Sequence, residues 1–207
     1  MTKKEIKKLN FGVYNSKAKE LIEKFDKIPT RVFDIDNALK LYGKDKNVSI
    51  LEIGCFTGRE YDYIRNFSKN YIGIDISKEA IKHAKNKFPD GEFLVGDIEE
   101  YKFDRKFDII FAFASLIHSD KETTIKLFKK FYEILNNNGI IYISMKISDK
   151  YSEITKTDEF GTRVYYHYSL EEYKELAGNK FDVIYEDKQN FNNQEWFTIC
   201  FKKTLKK

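Results

Sequence analysis

Three carboxylates stand where short apolar runs stop: Glu52 in SILEIG, Asp75 in YIGIDI and Asp97 in LVGDI. Between the first two lies the turn Gly54-Cys55-Phe56-Thr57-Gly58, and Asp75 falls 21 positions after Gly54. Small residues let a backbone approach a ligand closely, and a helix starting just past such a turn offers free amides to a negative group. An ionised carboxylate only accepts hydrogen bonds, so Asp75 suits the paired hydroxyls of a ribose. Asp97 is placed to accept from an exocyclic amine, while Ile76 and Ile98 supply apolar walls for a flat base. Any one of these carboxylates alone reads equally as an N-cap or a loop residue. Three at successive strand ends point to a nucleotide-type cofactor.

The elements that must position them are legible as short β-branched runs. VSILEI (48–53), YIGIDI (71–76), EFLVG (92–96), FDIIFAF (107–113) and GIIYISMK (139–146) predict five strands, apolar almost throughout, as in a sheet covered on both faces. Helical patterns alternate with them, the signature of parallel strands joined by crossover helices. In such a sheet a ligand binds beyond the carboxyl ends, where strand order reverses beside the first strand. The Gly54–Gly58 turn lies there. Ser119 with Glu122 predicts a capping box and a helix running to about Leu135 before Asn-Asn-Asn-Gly, and Ser169 with Glu172 repeats the device before Gly178. FDVIYED (181–187) and EWFTICFKK (195–203), joined by an Asn-rich link, predict an antiparallel hairpin. Residues 1–45 read as a helical cap, with Ala18, Leu21, Ile22 and Phe25 on one stripe and a break at Pro29. Residues 147–168 have no clear period and read as a long loop over the site.

Composition narrows the classes. The 207 residues carry 37 basic against 33 acidic side chains, and the lysines are scattered, which is a solvated surface more than a nucleic-acid face. The two cysteines, Cys55 and Cys200, have neither metal-site nor disulfide spacing, so a reducing cytoplasm is expected and no metal. MTKKEIKKLN has no apolar region behind its lysines, and Phe107–Ile117 falls far short of a span, so neither a secretory signal nor a membrane partner is expected.

The series LEIGCFTGRE, YIGIDIS, FLVGDIEEY, FDIIFAFASLIH and EILNNNGIIYIS resembles the motif series of class I S-adenosylmethionine-dependent methyltransferases. The family loop is acidic-x-Gly-x-Gly-x-Gly. Glu52, Gly54 and Gly58 match it, and Phe56 replaces the middle glycine. The likeness covers about 48–203, including the antiparallel final strand that distinguishes this fold from dehydrogenases. It implies an α/β, Rossmann-like, seven-stranded, mostly parallel sheet with an antiparallel C-terminal strand, helices on both faces and a helical N-terminal cap, in one domain over 1–207. It implies S-adenosylmethionine as cofactor and S-adenosylhomocysteine as product. The methionine moiety would lie near Gly54, Cys55, Phe56, Ala112 and Phe113, the ribose on Asp75, and adenine against Ile76, Asp97 and Ile98, with Tyr14 closing over the cofactor. Phe56 meets the loop's need if its φ is negative and its ring points away from the ligand or covers the aliphatic part. SLIH (115–118) and GTRVYYHYSLEE (161–172) resemble segments of small stand-alone bacterial members.

Methyl transfer from a sulfonium is an in-line displacement, so holding the nucleophile against the methyl group supplies most of the catalysis. His118, following the fourth strand, is the candidate base if the acceptor must lose a proton; its other reading is a locally packed histidine. Arg163 would clamp a substrate carboxylate or phosphate, or anchor the loop. Tyr166 and its aromatic neighbours would wall a small organic acceptor, and Lys146 faces the same mouth. A nicotinamide site fails at Phe56 and Arg59. Ala112-Phe113-Ala114-Ser115 stands where nucleic-acid amino-methyltransferases carry Asn/Asp-Pro-Pro-aromatic. An enzyme acting on a small-molecule O or N acceptor is the expectation; a non-catalytic cofactor binder and an RNA methyltransferase are the alternatives.

Overall fold

Thr2 opens the first helix by a device that the hydrophobic stripe does not reveal. Its hydroxyl accepts from the Glu5 amide at 3.3 Å, and its own amide donates to the Glu5 carboxylate at 2.7 Å, so two orphan donors are satisfied reciprocally. The computed structural model describes residues 1–43, 47–191 and 194–204. Helices α1 (Lys3–Ser16), α2 (Ala18–Phe25) and α3 (Val32–Tyr42) form the N-terminal segment, with Pro29 between the last two.

Then come β1 (Ile50–Ile53), α4 (Tyr61–Ile64), β2 (Tyr71–Asp75), α5 (Lys78–Lys87), β3 (Glu92–Val95) and β4 (Phe107–Phe113). After a 3₁₀ turn at Leu116–His118 follow α6 (Lys121–Ile134), β5 (Leu135–Lys146), β6 (Ser152–Asp158), β7 (Gly161–His167), α7 (Leu170–Ala177), a second 3₁₀ turn at Gly178–Lys180, β8 (Phe181–Phe191) and β9 (Gln194–Lys203). The seven-stranded sheet has the order β3-β2-β1-β4-β5-β9-β8. The first five strands run parallel, and β9 runs antiparallel to both β5 and β8. Strand order therefore reverses at β1, as expected. The link at 192–193 lies outside the described residues.

Alternate residues of each strand feed opposite cores. Leu51, Ile110 and Ile141 pack with α6 and α7 through Phe128, Phe131 and Tyr173. Ile50, Ile109 and Ile140 pack with α3, α4 and α5 through Ile35, Tyr61 and Ile81. With both faces covered, the carboxyl ends of β1, β2 and β4 are where a ligand can enter.

Two local expectations are corrected. Helix α6 is capped by Asp120, whose carboxylate accepts from the Thr123 amide at 2.8 Å. Ser119 instead offers its carbonyl to Tyr168 at 2.7 Å, and Glu122 turns to Lys3 and Lys126 at 2.5 and 2.6 Å. A carboxylate one residue closer to the helix outcompetes a hydroxyl, because it is charged as well as an acceptor. The second correction concerns 147–168, which is no structureless loop. Strands β6 and β7 form an antiparallel hairpin, from Ser152 opposite His167 to Asp158 opposite Gly161. The Ser169–Glu172 capping box is present as expected.

Candidate active site

A cavity of ≈ 1230 Å³ opens at the carboxyl ends of β1, β2 and β4, roofed by α1 and flanked by the β6–β7 hairpin. Single-ligand sites hold about 300–1,000 Å³, so this one has room for two molecules side by side. Of the residues expected at the cofactor, Tyr14, Gly54, Cys55, Phe56, Asp75, Ile76, Asp97, Ile98 and Phe113 line it. So do His118, Lys146, Arg163 and Tyr166.

Glu52, Gly58 and Ala112 lie behind its wall. Glu52 is buried and accepts from the Tyr71 hydroxyl at 2.6 Å, and burial and neighbouring Glu60 push its carboxyl well above the usual carboxylate range. A Cβ on Gly58 would come within 2.8 Å of the Phe93 ring, so that glycine lets the loop pack on β3. Ala112 is a core residue of β4.

The loop is tied to β2. The Gly54 amide donates to the Ile74 carbonyl at 2.8 Å, and the Phe56 amide donates to Asp75 Oδ2 at 3.1 Å, while Asp75 Oδ1 accepts from the Ser77 amide at 2.8 Å. Burial pushes the Asp75 carboxyl up to about 6, against the pull of those amides and that of Ile76. Gly54 has φ +71°, and any Cβ there would collide with Ser115 Cβ. Phe56 departs from the expectation: its φ is +45°, in the left-handed region that glycine adopts freely. The loop keeps a glycine-like backbone at this position, and the side chain pays in strain. Its ring stands edge-on to Phe25 of α2, with centroids 5.3 Å apart.

His118 is enclosed. Its Nδ1 lies 2.7 Å from the Val164 carbonyl, which can only accept, so Nδ1 carries the proton and Nε2 accepts from the Tyr14 hydroxyl at 2.9 Å. Burial pushes the imidazole down to about 4, the positive charge of Arg163 adds to that, and the Val164 bond opposes it. Burial raises the Tyr14 hydroxyl above its ordinary value. The α1 cap thus reaches the site through Tyr14, whose carbonyl also accepts from Ser77 at 3.1 Å, next to Asp75. Asp97 is engaged by Lys7 of α1 and accepts from the Glu99 amide at 2.9 Å. Arg163 is buried and pairs with Asp158, and its Nε has no partner among the described residues.

Several site residues gave no signal in the sequence. Asn10 is buried in α1 and bonds both backbone groups of Val164, accepting at 2.8 Å and donating at 3.1 Å, as a neighbouring strand would. Ala114 has φ +53°, and the buried Ser115 hydroxyl beside it, at the cavity wall, lacks a partner among the described residues. Arg31 donates to Asp34 and Ser144 at 3.2 and 3.3 Å at the far end, near Trp196. Two non-glycine residues in the left-handed region, both at strand ends facing one cavity, mark a site whose geometry outranks local stability.

Comparison with known proteins shows what this geometry is similar to. Residues 50–139 match the methyltransferase domain model. Two malonyl-[acyl-carrier protein] O-methyltransferases of Ilyobacter polytropus are 27% and 30% identical over 175 and 169 residues, 80% and 76% of this chain. The chain is similar to the methyltransferase family over residues 50–139, in keeping with the class I S-adenosylmethionine-dependent motif series its sequence resembles. It spans 65% and 64% of the length of those two relatives. A solved S-adenosylmethionine-dependent methyltransferase from Methanosarcina mazei superposes with a TM-score of 0.71 over 86% of this chain and 100% of that one, at 20% identity, which is a likeness of fold. The family cofactor fits what the cavity offers. Asp75 holds an enclosed carboxyl at the end of β2, Gly54 clears the wall above a spare Ser115 hydroxyl, and Ile76 and Ile98 line the cavity beyond. Among the described residues no group of three or more His, Cys, Asp or Glu side chains could hold a metal, and no helix is long and apolar enough to cross a membrane.

Proposed function

We propose that this chain transfers a methyl group from S-adenosylmethionine to a small-molecule O or N acceptor, working as one domain in the cytoplasm. One observation carries the reading: the Asp75 carboxyl clasps the glycine-like loop at the mouth of a cavity that continues past it to the hairpin. Asp75 would take the ribose hydroxyls, Ile76 and Ile98 the faces of adenine, Asp97 its amine, and Gly54 to Phe56 with Phe113 the methionine moiety. The chemistry the cofactor supplies when bound is an electrophilic sulfonium methyl. The names of the Ilyobacter relatives, O-methyltransferases acting on malonyl-[acyl-carrier protein], favour an oxygen acceptor. Two free, buried cysteines support a reducing compartment.

His118 is neutral at pH 7 and its Nε2 already holds the Tyr14 hydroxyl. A proton leaving the acceptor would reach the imidazole through the Tyr14 oxygen, with the tyrosine passing its own proton on. A base near 4 is weak, so this route serves acceptors that release their proton readily, and an acceptor with no proton to lose does not use it. Calorimetry tests the reading. S-adenosylhomocysteine should bind with a Kd in the micromolar range and Asp75→Ala should remove most of that binding; folded wild-type protein giving no heat with either cofactor form would overturn it.

A further inference from the structure

On the hairpin that flanks the cavity, Lys156 of β6 and Arg163 of β7 sit directly opposite each other. Directly opposed like charges repel and destabilise a two-stranded ribbon, so an anion between them would be favoured beyond what Asp158 already supplies. Antiparallel partners share a face, and this face looks into the cavity: Ile154, Lys156 and Asp158 of β6 line it together with Arg163, Tyr165 and His167 of β7. A third cation joins them from the sheet. Lys146 ends β5, lines the same cavity and holds its ammonium 5.8 Å from the centroid of the Trp196 ring.

The counter-charge is short. Asp158 satisfies one end of the Arg163 guanidinium, while Arg163 Nε is buried with no partner among the described residues. No carboxylate pairs with Lys146 or Lys156 among the described residues, and burial with the charges of Lys156 and Arg163 holds the Lys146 ammonium below its usual range. Asp34 is already committed to Arg31. A buried guanidinium with an unused donor and two unpaired ammonium groups converge on one end of a cavity whose other end fits the cofactor.

We propose that Lys146, Lys156 and Arg163 form an anion site that holds the methyl acceptor by a carboxylate or phosphate group. The inference rests on the methyltransferase reading only for what the bound anion belongs to, and its test is independent of transfer. Trp196 is the single tryptophan of the chain and touches the site, so its fluorescence reports occupancy directly. Wild-type protein is titrated with sodium malonate and with inorganic phosphate, each against sodium chloride at matched ionic strength, with and without saturating S-adenosylhomocysteine. A saturable change with malonate or phosphate and none with chloride is expected; the anion that saturates at the lower concentration identifies the group as carboxylate or phosphate.

Lys156 is exposed, so Lys156→Met leaves the core untouched. It should weaken the anion by about tenfold without changing S-adenosylhomocysteine affinity, and Lys146→Met should do the same. An equal response to chloride, or a Lys156→Met protein that binds the anion as wild type does, overturns the proposal. Absence of S-adenosylhomocysteine binding in protein that still binds the anion would instead overturn the methyltransferase reading.

Discussion

Replacing Phe56 by glycine and, separately, by alanine reverses the order in which those two residues usually rank. The residue sits at φ +45°, where a side chain with a Cβ costs about 1–2 kcal/mol. Its ring contact with Phe25, 5.3 Å between centroids and 81° between planes, returns about 0.5–1.5 kcal/mol beyond simple burial. Both substitutions lose the ring and its buried area, so those contributions cancel between the variants. What differs is the backbone: alanine keeps the strain and glycine releases it. Elsewhere glycine is worse than alanine by roughly 0.5–1 kcal/mol because it has more unfolded-state freedom to lose. With that deducted, Phe56→Gly should still exceed Phe56→Ala by about 0.7 kcal/mol, which for a chain of this size is roughly 1.5–3 °C in Tm. Thermal unfolding of the two variants without cofactor, followed by circular dichroism, measures the difference. An alanine variant melting at or above the glycine variant would refute the claim that the loop imposes a glycine conformation on Phe56.

Other outcomes follow from the same geometry. The Asp75 carboxyl is raised to about 6 by burial, and ribose hydroxyls need its ionised form. S-adenosylhomocysteine affinity should therefore be flat above pH 7 and fall about tenfold at pH 5, measured by calorimetry in matched buffers; an unchanged Kd would contradict the ribose assignment. The same elevation means that the folded state binds the extra proton between the unfolded value near 3.8 and about 6. Asp75 thus subtracts stability as pH rises through that window, so Asp75→Asn should flatten the pH dependence of urea unfolding there. His118, at about 4, should show no NMR titration between pH 5.5 and 8, and a midpoint near 6.5 would refute its enclosure. Lys156→Thr removes a like-charge cross-strand pair and should stabilise the protein by about 0.5 kcal/mol, a gain opposite in sign to its loss of anion binding.

The parallel core was legible because its strands are covered on both faces and so read as apolar runs. Asp75 at the end of β2 and Asp97 just beyond β3 were legible because their spacing follows from that topology. The hairpin was not. Six of the seven β6 residues carry polar or charged side chains and the seventh, Ile154, is exposed; the apolar period of the hairpin survives only in β7 at Val164 and Tyr166, and Glu159-Phe160 lacks the usual hairpin-turn chemistry. Phe56 was expected at negative φ from its side chain alone, whereas its neighbours decide: Gly54 and the Asp75 carboxylate fix the turn around it. Asn10 gave no sign, since a polar residue on a lysine-rich helix looks solvent-facing until the partner strand is placed beside it. Glu52, Gly58 and Ala112 show the converse: motif positions can support a ligand loop from behind without lining the cavity.

The Asn10 clasp on Val164 joins residues 154 positions apart. During synthesis at about 5–20 residues per second, the cap emerges roughly 8–30 s before the strand that receives it. Ile6 and Val13, buried in the finished protein, have no seat in that interval. The lysines around them at Lys3, Lys4, Lys7 and Lys8 add charge to a segment whose apolar stripe has to wait for its partner.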